Sequence, residues 1–164
     1  MEPGLTTIEV IGLALRGEEE AARFYGAMSK RIANDLVRAR YEALAREETL
    51  HRRMLLALYR RLTGEESGPP PIPGAPATAE GKDGRAASDA LEDLLLLAIR
   101  REQEAAIFYR EAAERAADPT GRNTLHYLAD VERGHETVLR TELAAYRRDA
   151  HWYAELPDIQ LVGP

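Results

Sequence analysis

The chain has 164 residues, enough for one domain with a real core. Acidic side chains outnumber basic ones 28 to 22, and a net charge of -6 argues against nucleic acid as the main partner. Cysteine is absent, which excludes disulfides, thiolate zinc sites, iron–sulfur clusters and a four-cysteine iron centre. The longest apolar run, Leu94 to Ile99, is too short to cross a membrane, and a start bearing Glu2 and Glu9 does not read as a signal peptide. A cytoplasmic protein without a membrane partner is expected.

The first expected helix spans 7–33 and opens at Thr6, where Glu9 three residues on completes a capping box. Asn34-Asp35 breaks the chain, and a second helix is expected over 36–63. Residues 64–87 then gather five of the nine prolines (Pro69, Pro70, Pro71, Pro73, Pro76) and five of the twelve glycines, the composition of an extended linker. Ser88 can cap a third helix over 89–117. Asp118 followed by Pro119 is an N-cap residue with proline at the first helical position, opening a fourth helix over 119–149. The expected domain is therefore residues 1–150, made of a hairpin (5–63), a linker (64–87) and a second hairpin (88–149). Residues 151–164 form a tail expected to pack on the bundle or to fray.

The two hairpins are copies. Residues 14–51 align without a gap on 98–135 at a constant offset of 84, and fifteen of the 38 pairs are identical. Alanine, glutamate and arginine are common in any helix, so they prove little. Phe24-Tyr25 opposite Phe108-Tyr109, and His51 opposite His135, are different: phenylalanine and histidine are scarce here.

Each helix carries an apolar stripe with steps of three and four, the signature of a buried bundle face. The stripes run through Ile11, Ala14, Tyr25 and Met28; through Tyr41, Leu44, Leu55 and Leu58; through Leu95, Ala98, Tyr109 and Ala112; and through Leu125, Leu128, Leu139 and Tyr146. Near its middle each is interrupted by polar residues: Glu18, Glu48 with His51, Glu102, and Glu132 with His135. A buried carboxylate without a partner costs several kcal/mol. No Lys or Arg lies on these seams, so an organic counter-cation is not on offer. Four carboxylates carry about -4, which two divalent ions would balance, with the two imidazoles completing the shell. Glu48 and His51, like Glu132 and His135, are spaced i and i+3 and project from one helix face. A Glu-x-x-His pair on each of two helices and a single Glu on each of the others is the donor pattern of di-iron and di-manganese bundles. One such pair is an ordinary surface feature; two at a fixed offset, each on an apolar seam, are not.

The neighbours Glu19, Glu20, Glu47 and Glu104 are turned away from the seams and read as surface charges, and His126 and His151 have no ligand partners in view. Tyr25 and Tyr109 lie two turns beyond Glu18 and Glu102 on the same seams. They can be core filling, or their hydroxyls can hold a ligand carboxylate as a second shell; the spacing allows both.

These residues resemble the ferritin-like di-iron carboxylate superfamily, and within it the rubrerythrin-like branch. The pattern E-x-x-A-x-x-F-Y stands at Glu18–Tyr25 and Glu102–Tyr109, and L-A-x-x-E-x-x-H at Leu44–His51 and Leu128–His135. The resemblance implies an all-α four-helix bundle built from the two duplicated hairpins and joined by the long Pro/Gly-rich crossover. It further implies that Glu18 and Glu102 are terminal metal ligands, that Glu48 and Glu132 bridge, and that His51 and His135 each complete one metal. Rubrerythrins usually carry a further Glu three residues after the third-helix ligand, where this chain has Ala105, so the six-residue set is closer to that of bacterioferritin. They also usually append a rubredoxin domain, which a chain without cysteine cannot encode.

The expected cofactor is two Fe ions, with Mn or Zn as alternatives. The expected activity is that of an oxidoreductase that oxidises Fe(II) with O2 or peroxide, or reduces peroxide with electrons from a separate donor protein; a homodimer is expected. The rival reading is a non-catalytic iron-binding or storage protein inside a larger shell.

Overall fold

The computed structural model describes residues 6–70 and 89–154, and within these the protein is all helix. Helix α1 spans Thr7–Ser29, α2 Asp35–Thr63, α3 Asp89–Arg115, α4 Pro119–Arg148, and a short α5 covers Ala150–Ala154. The capping chemistry sets three of the starts. The backbone N–H of Glu9 donates to Thr6 Oγ1 at 3.3 Å, and that of Thr6 donates to Glu9 Oε2 at 2.8 Å. Asn34 Oδ1 accepts from the N–H groups of Leu36 and Val37 at 3.0 and 3.3 Å, and Asp118 Oδ2 accepts from that of Gly121 at 2.6 Å. Helices α1 and α3 stop a few residues earlier than their apolar periodicity suggests. The chain must turn before Asn34 and Asp118, both extended, can open the next helix. Helix α2 ends at Gly64, whose φ of 74° is the left-handed conformation that glycine adopts without steric cost.

The hydrogen bonds from Thr6 hold the Glu9 carboxyl below its ordinary value near 4.5. A depressed carboxylate contributes above that value and loses its contribution as pH falls. The first turn of α1 is therefore expected to lose amide protection as pH falls below about 4.5, and Thr6→Ala, which keeps the backbone N–H bond to Glu9 but removes the hydroxyl, to weaken that dependence in hydrogen exchange.

Two apolar clusters fill the bundle, one at each end. The first joins Ile11 and Ala14 of α1, Leu55 and Leu58 of α2, Ala112 and Ala113 of α3, and Leu125 and Leu128 of α4. The second joins Met28, Val37, Leu95 and Leu139 with Tyr153 of α5. The start of α1 and the end of α2 thus share an end of the bundle with the end of α3 and the start of α4. Helices α2 and α3 consequently run parallel, and the connection between them must travel the length of the bundle. The expected linker falls largely on residues 71–88, outside the described residues, as does the cap expected at Ser88.

The start of the tail has a definite place: Tyr153 is fully buried, its hydroxyl 2.6 Å from that of Tyr41 and its ring edge-on to Tyr146. Residues 155–164 lie outside the described residues. Glu142, on the α4 stripe, is buried and is answered by Arg40 of α2.

Candidate metal centre

The waist between the two apolar clusters is where the six polar seam residues meet. Glu18, Glu48, His51, Glu102, Glu132 and His135 are each at least 95 % buried. Their donor atoms form two groups, Glu18–Glu48–His51–Glu132 and Glu48–Glu102–Glu132–His135, within each of which the atoms lie no more than 4.8 Å apart. Glu48 and Glu132 belong to both. His51 Nδ1 stands 3.3, 3.2 and 3.1 Å from oxygens of Glu18, Glu48 and Glu132. The two imidazoles stack with centroids 5.5 Å apart.

The tyrosines settle in favour of a polar role. Tyr25 Oη donates to Glu102 Oε1, and Tyr109 Oη donates to Glu18 Oε1, each across to the other hairpin. One oxygen each of Glu18 and Glu102 is thereby tied to the protein. The other oxygen of Glu18, and one oxygen each of Glu48 and Glu132, are buried and face an imidazole Nδ1 that each shares with two other carboxylate oxygens. One N–H cannot satisfy three buried acceptors, and a shared pair of cations would. The donor set, four carboxylates with two imidazoles, therefore fits two divalent ions.

With the protein's own groups alone, protons balance these charges. Burial pushes the Glu18 and Glu102 carboxyls up to about 8. Burial also opposes ionisation of Glu48 and Glu132, but hydrogen bonds from both histidines outweigh it, and Glu132 falls to about 2. Burial disfavours charge on His51 as well, yet Glu132, Glu18 and Glu48 hold it protonated up to about 12; His135 is raised in the same way. Two neutral carboxyls, two carboxylates and two imidazolium rings sum to zero near neutral pH. Two divalent ions entering such a centre displace about four protons. The raised carboxyls favour the fold most below pH 4.5 and lose that contribution towards pH 8; the raised imidazoles contribute fully below 6.5 and lose it at higher pH. The metal-free chain is therefore expected to melt progressively lower from about pH 5 to pH 9. Metal loading in weak buffer at pH 7 is expected to acidify the solution, read with an indicator dye.

One surface-charge reading needs correction. Glu47, half-exposed on α2, reaches across to His135, its Oε2 2.7 Å from Nε2. Nothing in its own helix announces this, because its partner lies on α4. Glu20 is half-buried and, with Glu104 and Arg101, lines a cleft of about 430 Å3 between α1 and α3. Gly17, Ala21 and Ala105 form its small-residue walls, Glu18 and Glu102 lie within it, and Arg101 sits 4.8 Å over the ring of Phe24. His126 and His151 are exposed, and neither belongs to the two donor groups.

The sequence model of the family described as rubrerythrin matches residues 9–143, which include all six waist residues. The chain belongs to the rubrerythrin family. It thereby falls in the ferritin-like di-iron superfamily, and these 164 residues, free of cysteine, encode no rubredoxin-type iron site. A hypothetical protein from Pyrococcus furiosus is similar in structure, with a TM-score of 0.72 and 26% identity over 88% of this chain and 92% of that one. A bacterioferritin from Rhodobacter capsulatus, described with a metal-free dinuclear site and a heme iron, shares the fold at a TM-score of 0.67 and 22% identity, covering 90% of this chain and 89% of the other. Comparison with curated proteins returns no match. No described helix is long and apolar enough to cross a membrane.

Proposed function

We propose that this rubrerythrin-family chain is a di-iron carboxylate oxidoreductase that oxidises Fe(II) with O2 or peroxide, or reduces peroxide with electrons from a separate donor protein. The observation that carries this reading is the sharing of Glu48 and Glu132 between two buried donor groups. Glu18 and His51 complete one position, and Glu102 and His135 the other. Bound as an Fe(II) pair, the metal would supply two electrons and Lewis acidity to an oxidant.

The chain's own part is to hold and shield. Tyr109 and Tyr25 tie one oxygen of Glu18 and of Glu102, so that each carboxylate keeps its other oxygen for the centre without reorganising. The apolar clusters above and below keep water from the waist, and the α1/α3 cleft leaves one side open to a small molecule. A Cβ built on Gly17 meets nothing within 4 Å, so Gly17→Leu should fold normally while narrowing the cleft mouth. It is expected to slow oxidation several-fold and to leave metal stoichiometry unchanged, as stopped-flow and elemental analysis would read.

The experiment that tests the function is an anaerobic Fe(II) titration followed by rapid mixing with O2 or with peroxide and a donor. Saturation near two irons per chain and rapid oxidation of both support the reading; failure to bind near two per chain would sink it. Iron uptake far above two per chain in a larger assembly would favour storage instead. The homodimer and the cytoplasmic location belong to the same proposal, and size-exclusion chromatography tests the first.

A further inference from the structure

The six waist residues repeat between hairpins, but the layer outside them does not. His135 Nε2 lies 2.7 Å from Glu47 Oε2, while its Nδ1 faces Glu48, Glu102 and Glu132 at 3.1, 3.6 and 3.1 Å. The position that the repeat pairs with Glu47, 84 residues on, is Val131, which offers no acceptor. Among the described residues no carboxylate meets the Nε2 of His51.

We propose that Glu47 makes the two metal positions unequal, so that the position served by His135 fills before the one served by His51. This rests on the di-metal reading above. An imidazole that donates its outer N–H to a carboxylate presents the inner nitrogen as a lone pair, in a set ring orientation and with greater basicity. Glu47 already holds the His135 ring in place and keeps its outer N–H, so an incoming ion displaces the proton on Nδ1. His51 has no carboxylate on Nε2 among the described residues and has to fix its ring orientation when the ion binds. Glu47 is half-exposed, so solvent weakens its charge, but the direction of the hydrogen bond survives that screening. Outer partners of this kind change metal affinity by about 10–100-fold. Glu47 is thus a positioning residue, acting through His135.

The test is calorimetric titration of the metal-free protein with Zn(II), alongside 15N-edited NMR of the imidazole rings. Two steps separated roughly 10–100-fold are expected, with the His135 ring responding at the first equivalent and the His51 ring at the second. Glu47→Val should weaken the first step until it merges with the second, while Val131→Glu should strengthen the second alone. Both positions lie at least partly outside the core, and unchanged helical circular dichroism would confirm that the variants fold. A single step with both rings responding together, or an equal loss in both steps from Glu47→Val, would overturn the inference. Two equal sites would overturn it alone; no zinc binding at all would take the di-metal reading with it.

Discussion

Replacing Glu48 by alanine is expected to remove both metal positions. Its two oxygens stand 3.2 Å from His51 Nδ1 and 3.1 Å from His135 Nδ1, and it belongs to both donor groups. Glu18→Ala touches only one group and should leave one ion bound. Anaerobic Fe(II) titration therefore should read near two per chain for the wild type, near one for Glu18→Ala and none that is stoichiometric for Glu48→Ala. Stability separates the same variants. An ion at 100 times its dissociation constant raises the unfolding free energy by about 2.7 kcal/mol per site. Glu48→Ala should lose that response, while its metal-free melting point moves little. Glu132 still lies 3.1 Å from both histidines, which can also shed protons, so no unpaired buried cation is left behind. A variant that still bound two irons would remove Glu48 from the bridging role.

The second large effect lies away from the waist. Glu142 is 97 % buried on α4, and Arg40 of α2 is its charge partner. Arg40→Ala leaves a carboxylate in the core with no cation, one of whose oxygens already lacks a hydrogen bond. Because Arg40 is half-exposed, the expected loss is below that of a fully buried pair, about 2–3 kcal/mol. For a chain of this size that corresponds to a fall in melting temperature of roughly 4–12 °C. Adding Glu142→Gln should recover much of it, since a neutral amide needs no counter-charge. Metal stoichiometry should not change in either variant. Equal melting temperatures for the wild type and Arg40→Ala would show that the pair contributes nothing.

The bundle and the meeting of its six waist residues were legible because they are written in local periodicity. A polar residue on a strictly apolar stripe has a helical phase, and Glu18, Glu48, His51, Glu102, Glu132 and His135 share the phase of the residues that fill the core. The helix starts were equally local, since each cap bonds to backbone two or three residues away. What stayed hidden involves a partner on another helix. Glu47 looks like a solvated charge until α4 brings His135 beside it. Glu142 is a buried carboxylate that nothing on its own helix answers until α2 supplies Arg40. The choice between filler and hydrogen-bond donor at Tyr25 and Tyr109 depended on the opposite hairpin in the same way.

Length, charge and the absence of cysteine left a small acidic chain with no thiolate chemistry, and the repeat at an offset of 84 determined that its two halves would offer matching donors. Those properties follow from residue identity and helical phase, which a sequence carries in full. Only the tertiary structure decided which carboxylates belong to both donor groups, which oxygens crowd a single imidazole nitrogen, and that the repeat ends outside the six waist residues, where Glu47 meets a histidine and Val131 offers no acceptor. Such distinctions are matters of a few ångströms between separate helices, and packing alone determines them.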